Sequence, residues 1–227
     1  MDAQAKTSET AENIDGFEPA RRRLLDTALI EAAFDGWNGA MMDKAARAAG
    51  LEPGVAAAAF PGGVRDLLRY WSIRTDEAMA EAMAGPDFAA LKIREKVAFA
   101  VNARLDVLRP HKEAARRAAA LLALPTSGIL GAQLAWKTAD AVWRGLGDTS
   151  TDFNFYSKRG ILTGVWTSTM ARWLADDSDD EAATQDFLAA RIANVMEIEK
   201  AKAQIRKLGL DPAAPIRALA KMRYPQG

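Results

Sequence analysis

Met41–Met42–Asp43–Lys44–Ala45–Ala46–Arg47–Ala48–Ala49–Gly50–Leu51–Glu52–Pro53–Gly54–Val55–Ala56–Ala57–Ala58–Ala59–Phe60 reads as two short helices joined by a tight turn. Gly50 suits the left-handed residue that closes a helix. Pro53 suits the first turn of the next, where its missing N–H costs nothing. Upstream, Leu24, Leu25, Ala28, Leu29 and Ala32 recur at helical spacing, so another helix runs from about Arg21 to Phe34, ended by Gly36 and Gly39. Three helices in this order form a helix-turn-helix head, and the third is the one such heads lay in the major groove.

That third helix lacks the chemistry of base reading. From Val55 to Ala59 no side chain donates or accepts a hydrogen bond. Direct readout needs Arg, Lys, Asn or Gln at base edges, each good bidentate pair giving ~1–3 kcal/mol of discrimination. Glu52 in the preceding turn repels phosphate. Lys44, Arg47, Arg65 and Arg69 are left as nonspecific phosphate contacts. The head keeps its frame without its reading surface.

The rest of the chain is periodic in the helical sense, and no stretch alternates as a strand does. A helix from about Gly63 to Met83 carries Leu67, Leu68, Trp71 and Met79 before Gly85–Pro86 breaks it. The pattern then predicts helices over 87–108, 111–123, from Thr126 or Ser127 to Gly145–Gly147, over 152–175, and over 180–207. Ser178 followed three later by Glu181 has the form of a capping box for the last. Gly209 and Pro212 set off a short terminal helix. The fold class is all-α, organised as a polar, acidic and disordered segment 1–18, a head and connecting helix 19–83, a helical body 84–207 and a basic tail 208–227.

Composition excludes several functions. The 227 residues include no cysteine, so there is no disulfide, thiolate metal site or cysteine nucleophile. His111 is the one histidine, expected as a solvated helix-start residue, so metal sites and triads built on histidine lack partners. Asp148–Thr149–Ser150–Thr151–Asp152 resembles the start of a calcium loop. Phe153 stands where that loop needs glycine and Arg159 where it needs glutamate, so no metal is expected. Neither a phosphate-binding glycine loop nor a nucleophile elbow is found, and we expect neither an enzyme nor a cofactor. No apolar run approaches the ~20 residues of a membrane span.

Tryptophans supply the suggestive pattern. Trp136 and Trp143 lie seven apart on one predicted helix, Trp166 and Trp173 seven apart on the next, so each pair shares a face. Leu134, Leu146, Leu162, Val165 and Met170 extend these faces. They are either core or dimer seam, or the wall of a cavity for an apolar ligand, in which case Trp136, Trp143, Leu162, Val165, Trp166 and Met170 bind lipid. In the tail, residues 200–227 hold seven basic residues against Asp211 alone. Ile216, Leu219 and Met222 lie broadly on one side of the terminal helix, Arg217 and Lys221 on the other, with Arg223 able to snorkel. Such a helix either docks on its own domain or lies in a membrane interface.

Gly147–Asp148–Thr149–Ser150–Thr151–Asp152–Phe153–Asn154–Phe155–Tyr156–Ser157–Lys158–Arg159 resembles the signature segment of the ubiquinone biosynthesis accessory proteins related to TetR-type regulators. Leu105, Leu108 and Pro110, and Ala139–Asp140 through Trp143, extend the likeness from about Arg21 to Arg206. The resemblance implies a TetR-like helical bundle that forms a homodimer without binding specific nucleic acid. It implies a pocket for isoprenoid lipids and quinone precursors at a membrane surface. It also implies partnership with the di-iron demethoxyubiquinone hydroxylase, to which the lipid is presented. The hydroxylase-facing patch, carried onto this chain, comprises Asp140, Val142, Trp143, Asp152, Phe155, Tyr156 and Arg159. Phe155 departs from the tryptophan of mitochondrial members, which removes an indole donor, and the tail is shorter and more basic than theirs. The lack of a transit-like presequence suits a bacterial relative at the inner face of the cytoplasmic membrane. The alternative is a TetR-type transcription regulator responding to a hydrophobic ligand.

Overall fold

The structure, a computed structural model, describes residues 16–207 except 152 and 179. The acidic segment before residue 16, Asp152, and the terminal helix with Ile216, Arg217, Leu219, Lys221, Met222 and Arg223 lie outside the described residues. Among the described residues every regular element is helical: α1 (Glu18–Asp35), α2 (Gly39–Ala48), α3 (Pro53–Ala59), α4 (Val64–Met83), α5 (Pro86–Ala90), α6 (Ile93–Leu108), α7 (Lys112–Ala123), α8 (Gly128–Gly145), α9 (Phe153–Leu174) and α10 (Ala182–Lys207). A 3-10 turn, Arg109–His111, links α6 to α7.

The head forms as its sequence requires. α1 buries Leu24, Leu25, Ala28, Leu29 and Ala32 against α2, α3 and α7. Ala28, Ala32 and Ala45 are wholly buried, and their small side chains let the helix axes approach. The Asn38 side chain accepts the Met41 N–H at 2.9 Å and caps α2. At its other end Gly50 takes φ 64°. The Gly50 and Leu51 N–H groups donate to Arg47 and Ala46 carbonyls at 3.0 and 2.9 Å, the paired bonds of a Schellman turn. The exposed face of α3 presents Gly54, Ala57 and Ala58. Lys44 is committed to Glu31 and Asp35, at 2.5 and 2.9 Å, and Arg65 to the Thr126 carbonyl at 2.7 Å.

Tryptophan joins head to body. Trp37, just past α1, stacks on Trp71 of α4 with ring centroids 5.3 Å apart. Its indole N–H donates to the Ala114 carbonyl of α7 at 2.9 Å, a buried bond. The buried apolar cluster runs without interruption from Ala20 in α1 to Leu188 in α10. In the body α4 packs on α6 and α8, α8 on α7 and α9, and α9 on α10.

Three local expectations change. The single helix expected over 87–108 is two, α5 and α6. Leu91 and Lys92 adopt extended backbone, and the Glu95 carboxylate accepts the Lys92 N–H at 2.9 Å to start α6. Apolar periodicity continues through such a break because Leu91 also turns toward the core. The Ser178–Glu181 capping box does not form. Asp176 caps instead, accepting the Thr184 N–H at 2.8 Å and the Ser178 and Thr184 hydroxyls at 2.6 and 2.7 Å. Glu181, at φ 51°, points inward to Trp173 Nε1 (2.7 Å) and Arg109 (3.0 Å). Those bonds offset a left-handed backbone that costs a non-glycine residue roughly 1–2 kcal/mol. His111 does precede α7, but it is half-buried rather than solvated, and burial pushes its imidazole below its ordinary range despite Asp26.

Candidate functional site

The signature segment is a turn followed by a buried ionic knot. Gly147 at φ 74° ends α8, and the Asp148 N–H donates to the Trp143 carbonyl at 3.0 Å. This second Schellman turn reverses the chain and drops the Asp148 carboxylate between Lys158 Nζ (2.6 Å) and Arg159 Nη1 (3.1 Å), both on α9. Ser150 Oγ donates to it at 2.7 Å. Arg159 Nε reaches back to Asp140 of α8 at 2.6 Å, and Asp140 also pairs with Arg144. Burial alone would raise the Asp148 carboxyl; the hydrogen bonds from Lys158, Ser150 and Arg159 outweigh it and hold it well below the usual carboxylate range. The guanidinium of Arg159 sits 3.5 Å from the Phe155 ring centroid.

This knot separates the expected partner patch into two kinds of residue. Arg159 and Val142 are each 2% exposed, enclosed within the chain. Asp140, Trp143 and Phe155 are half-buried, and Trp143 donates its indole N–H to the Lys158 carbonyl at 3.1 Å. Tyr156 is 63% exposed, edge-on to Phe155 at 5.1 Å and 6.4 Å from Trp136. Asp152 lies outside the described residues.

The six residues expected to bind lipid also divide. Trp166 and Met170 line a cavity of about 490 Å³ bounded by α4, α6, α7, α8 and α9 and open to the surface at Ala123, Thr167 and Ala171. Trp143, Leu162 and Val165 line a second cavity, about 240 Å³, bounded by α6, α8, α9 and α10, which Ile93, Ile161 and Ile192 also line. Trp136 borders an open depression beside Ile129 and Lys137. Trp173, the partner of Trp166 by spacing, is 0% exposed.

The larger cavity exists because α7 and α8 contribute small residues where they face it: Ala115, Ala118, Gly131 and Ala135. A β-carbon on Gly131 would lie 3.0 Å from the Leu122 carbonyl oxygen, so these helices are already close at that point. The walls are otherwise Leu68, Trp71, Leu108, Leu134 and Trp166, while Ser72, Thr75, Arg104 and Thr138 add polar groups. Sequence reasoning missed Arg104. The signal was present: Ala100, Val101, Arg104, Leu105 and Leu108 form the buried stripe of α6, and a charge on such a stripe is the informative exception. Among the described residues no group of His, Asp and Glu side chains is arranged to hold a metal ion.

Residues 129–199, from α8 into α10 and so including the signature knot, match the COQ9 family model. The chain is similar to the COQ9 proteins. It is 28% identical over 211 residues to the mitochondrial ubiquinone biosynthesis protein COQ9 of Rattus norvegicus, covering 90% of this chain and 67% of that one. To the Homo sapiens COQ9 it is 27% identical over 207 residues, covering 88% and 65%. To the probable coq9 of Dictyostelium discoideum it is 31% identical over 119 residues, covering 52% and 39%. The chain thus spans about two thirds of the length of the vertebrate COQ9 relatives. Among solved structures, a TetR transcriptional regulator from Nitrosomonas europaea superposes with a TM-score of 0.64 at 19% identity, covering 78% of this chain and 97% of that one. The fold is all-α, as the residue pattern predicts, and TetR-like, as the resemblance implies.

Proposed function

We propose that this protein is a non-catalytic accessory of ubiquinone biosynthesis that holds an isoprenoid lipid or quinone precursor and presents it to the di-iron demethoxyubiquinone hydroxylase. Similarity to COQ9 relatives supports the pathway. The observation that carries the reading is the apolar cavity of about 490 Å³ in the helical body. It falls within the ~300–1,000 Å³ of small-molecule sites, with mostly apolar walls and few polar groups, as such sites have. Trp143, Leu162 and Val165 line the smaller cavity, and we read them as lipid-binding too.

Tyr156, Phe155, Trp143 and Trp136 are the side chains of the signature region that a partner reaches, and an aromatic cluster beside charged groups is hot-spot chemistry. On this reading Asp140, Val142 and Arg159 act from beneath by holding α8 and the start of α9 in register, and Asp152 completes the patch. No described helix is long and apolar enough to cross a membrane. From the basic, amphipathic pattern of its tail we read the protein as peripheral, docking through Ile216, Arg217, Leu219, Lys221, Met222 and Arg223 as a homodimer. The regulator alternative is disfavoured by the bare face of α3, with Gly54, Ala57 and Ala58 outward.

Mass spectrometry of lipids extracted from protein purified without detergent tests the proposal. Co-purifying isoprenoid quinones or their precursors are expected. A lipid-free protein from cells that make ubiquinone would overturn it in favour of a scaffold that only binds the hydroxylase.

A further inference from the structure

Arg104 is the one basic side chain in the wall of the larger cavity, and it is 93% buried there. It is held from three directions. Its Nε donates to Asp76 Oδ1 at 2.7 Å and its Nη2 to Ser72 Oγ at 3.1 Å, both on α4. Trp166 of α9 covers the guanidinium with its ring centroid 4.3 Å away. Thr138 of α8 donates to the same Asp76 carboxylate at 3.0 Å, so four helices converge on this group. Among the described residues Nη1 makes no hydrogen bond. Arg104 is therefore fixed in place with donors to spare, at the polar end of an apolar chamber.

The charge at this point is already balanced. Asp76 neutralises Arg104, so a carboxylate or phosphate entering the cavity would bring a second anion close to Asp76 in a medium of low dielectric. A carbonyl or ether oxygen would accept from the guanidinium without that repulsion. We infer that Arg104 is the head-group anchor of the cavity, selecting apolar chains that end in a neutral oxygen acceptor over both bare hydrocarbons and anionic lipids. This rests on the cavity's being a lipid site, and adds to it which end of the ligand goes where and which head groups are refused.

Three probes with one ten-carbon tail test it on the full chain: decylubiquinone, decylbenzene and 4-decylbenzoic acid. Quenching of tryptophan fluorescence reads the quinone, and relief of that quenching reads the other two. A charge-assisted hydrogen bond predicts decylubiquinone roughly ten- to a hundred-fold tighter than decylbenzene. The acid, facing Asp76, is expected to bind more weakly than the quinone. The double variant Arg104→Met/Asp76→Asn removes both charges and the guanidinium donors together, so no charge is stranded. It should bind decylbenzene unchanged and lose the preference for the quinone. Arg104→Lys, which keeps a cation for Asp76 but not the fork of donors, should lose most of that preference and serves if the double variant does not fold. A preference that survives both substitutions, or an acid that binds tighter than the quinone, overturns the inference while leaving the cavity a lipid site. Failure of the parent protein to bind any of the three overturns the cavity reading as well.

Discussion

Replacing Arg159 with methionine separates a residue that supports the signature surface from one that a partner touches. The side chain is 2% exposed, bonded to Asp140 at 2.6 Å and to Asp148 at 3.1 Å, and its guanidinium lies on Phe155. Removing one member of a buried ionic cluster commonly costs about 3–5 kcal/mol, because the carboxylates left behind are uncompensated. Here each keeps a second cation, Asp148 the Lys158 ammonium at 2.6 Å and Asp140 the exposed Arg144. We therefore expect the low end, about 3 kcal/mol. In a domain of this size that corresponds to a Tm lower by roughly 6–12 °C. Urea unfolding followed by circular dichroism measures it, with Tyr156→Ala as control. Tyr156 is 63% exposed, and its truncation should stay within about 0.5 kcal/mol. In pull-down with the hydroxylase, Tyr156→Ala should weaken binding with its fold intact. An Arg159→Met protein within about 1 kcal/mol of the parent would refute the reasoning, since the knot would then be dispensable.

The remaining expectations concern the joint, the turn and acid. Trp37→Phe keeps the stack on Trp71 but removes the indole bond to the Ala114 carbonyl, which retains its partner within α7, so urea titration should show a loss of about 1 kcal/mol; no change would mean that the indole bond does not tie head to body. Gly147→Ala forces a β-carbon into a φ of 74°, with open space around it, and should cost roughly 1 kcal/mol through the backbone alone. A much larger loss would show that the turn also sets the Asp148 network. Asp148, Asp176 and Glu181 are all held below the ordinary carboxylate range: hydrogen bonds from Ser178 and Thr184 do this at Asp176, while at Glu181 the bonds from Arg109 and Trp173 overcome burial. Their folded forms bind protons less readily than the unfolded chain. The stability they supply is thus present above about pH 4 and falls as the pH drops through that value and below. Asp148→Asn should flatten this acid limb, and an unchanged slope would exclude Asp148 as its source.

Local chemistry carried far along this chain. The helices of the head, the Schellman glycines Gly50 and Gly147, and the absence of reading groups on α3 are properties of residues within one or two turns of each other, so composition and spacing determine them. Spacing also placed Trp136 and Trp143 on a common face, since both meet the first turns of α9. It failed where two helices had to be known together. Trp166 and Trp173 share a helix and a period, yet one faces a cavity and the other is closed in by the Asp176–Glu181 turn. Arg159 reads from sequence as a charged surface residue because its partners, Asp140 and Asp148, stand 19 and 11 positions away and meet it only when α9 folds back on α8. The cavity is the extreme case. Arg104 and Asp76 are 28 residues apart, on helices that sequence shows as two amphipathic stripes, and their pairing, like the space left by Ala118, Gly131 and Ala135, follows from how five helices pack. Backbone periodicity is set by neighbours in the chain, and so the sequence alone determines which stretches are helical, though not the break at Leu91–Lys92. A void and a buried charge pair are set by neighbours in space, and only the tertiary structure decides them.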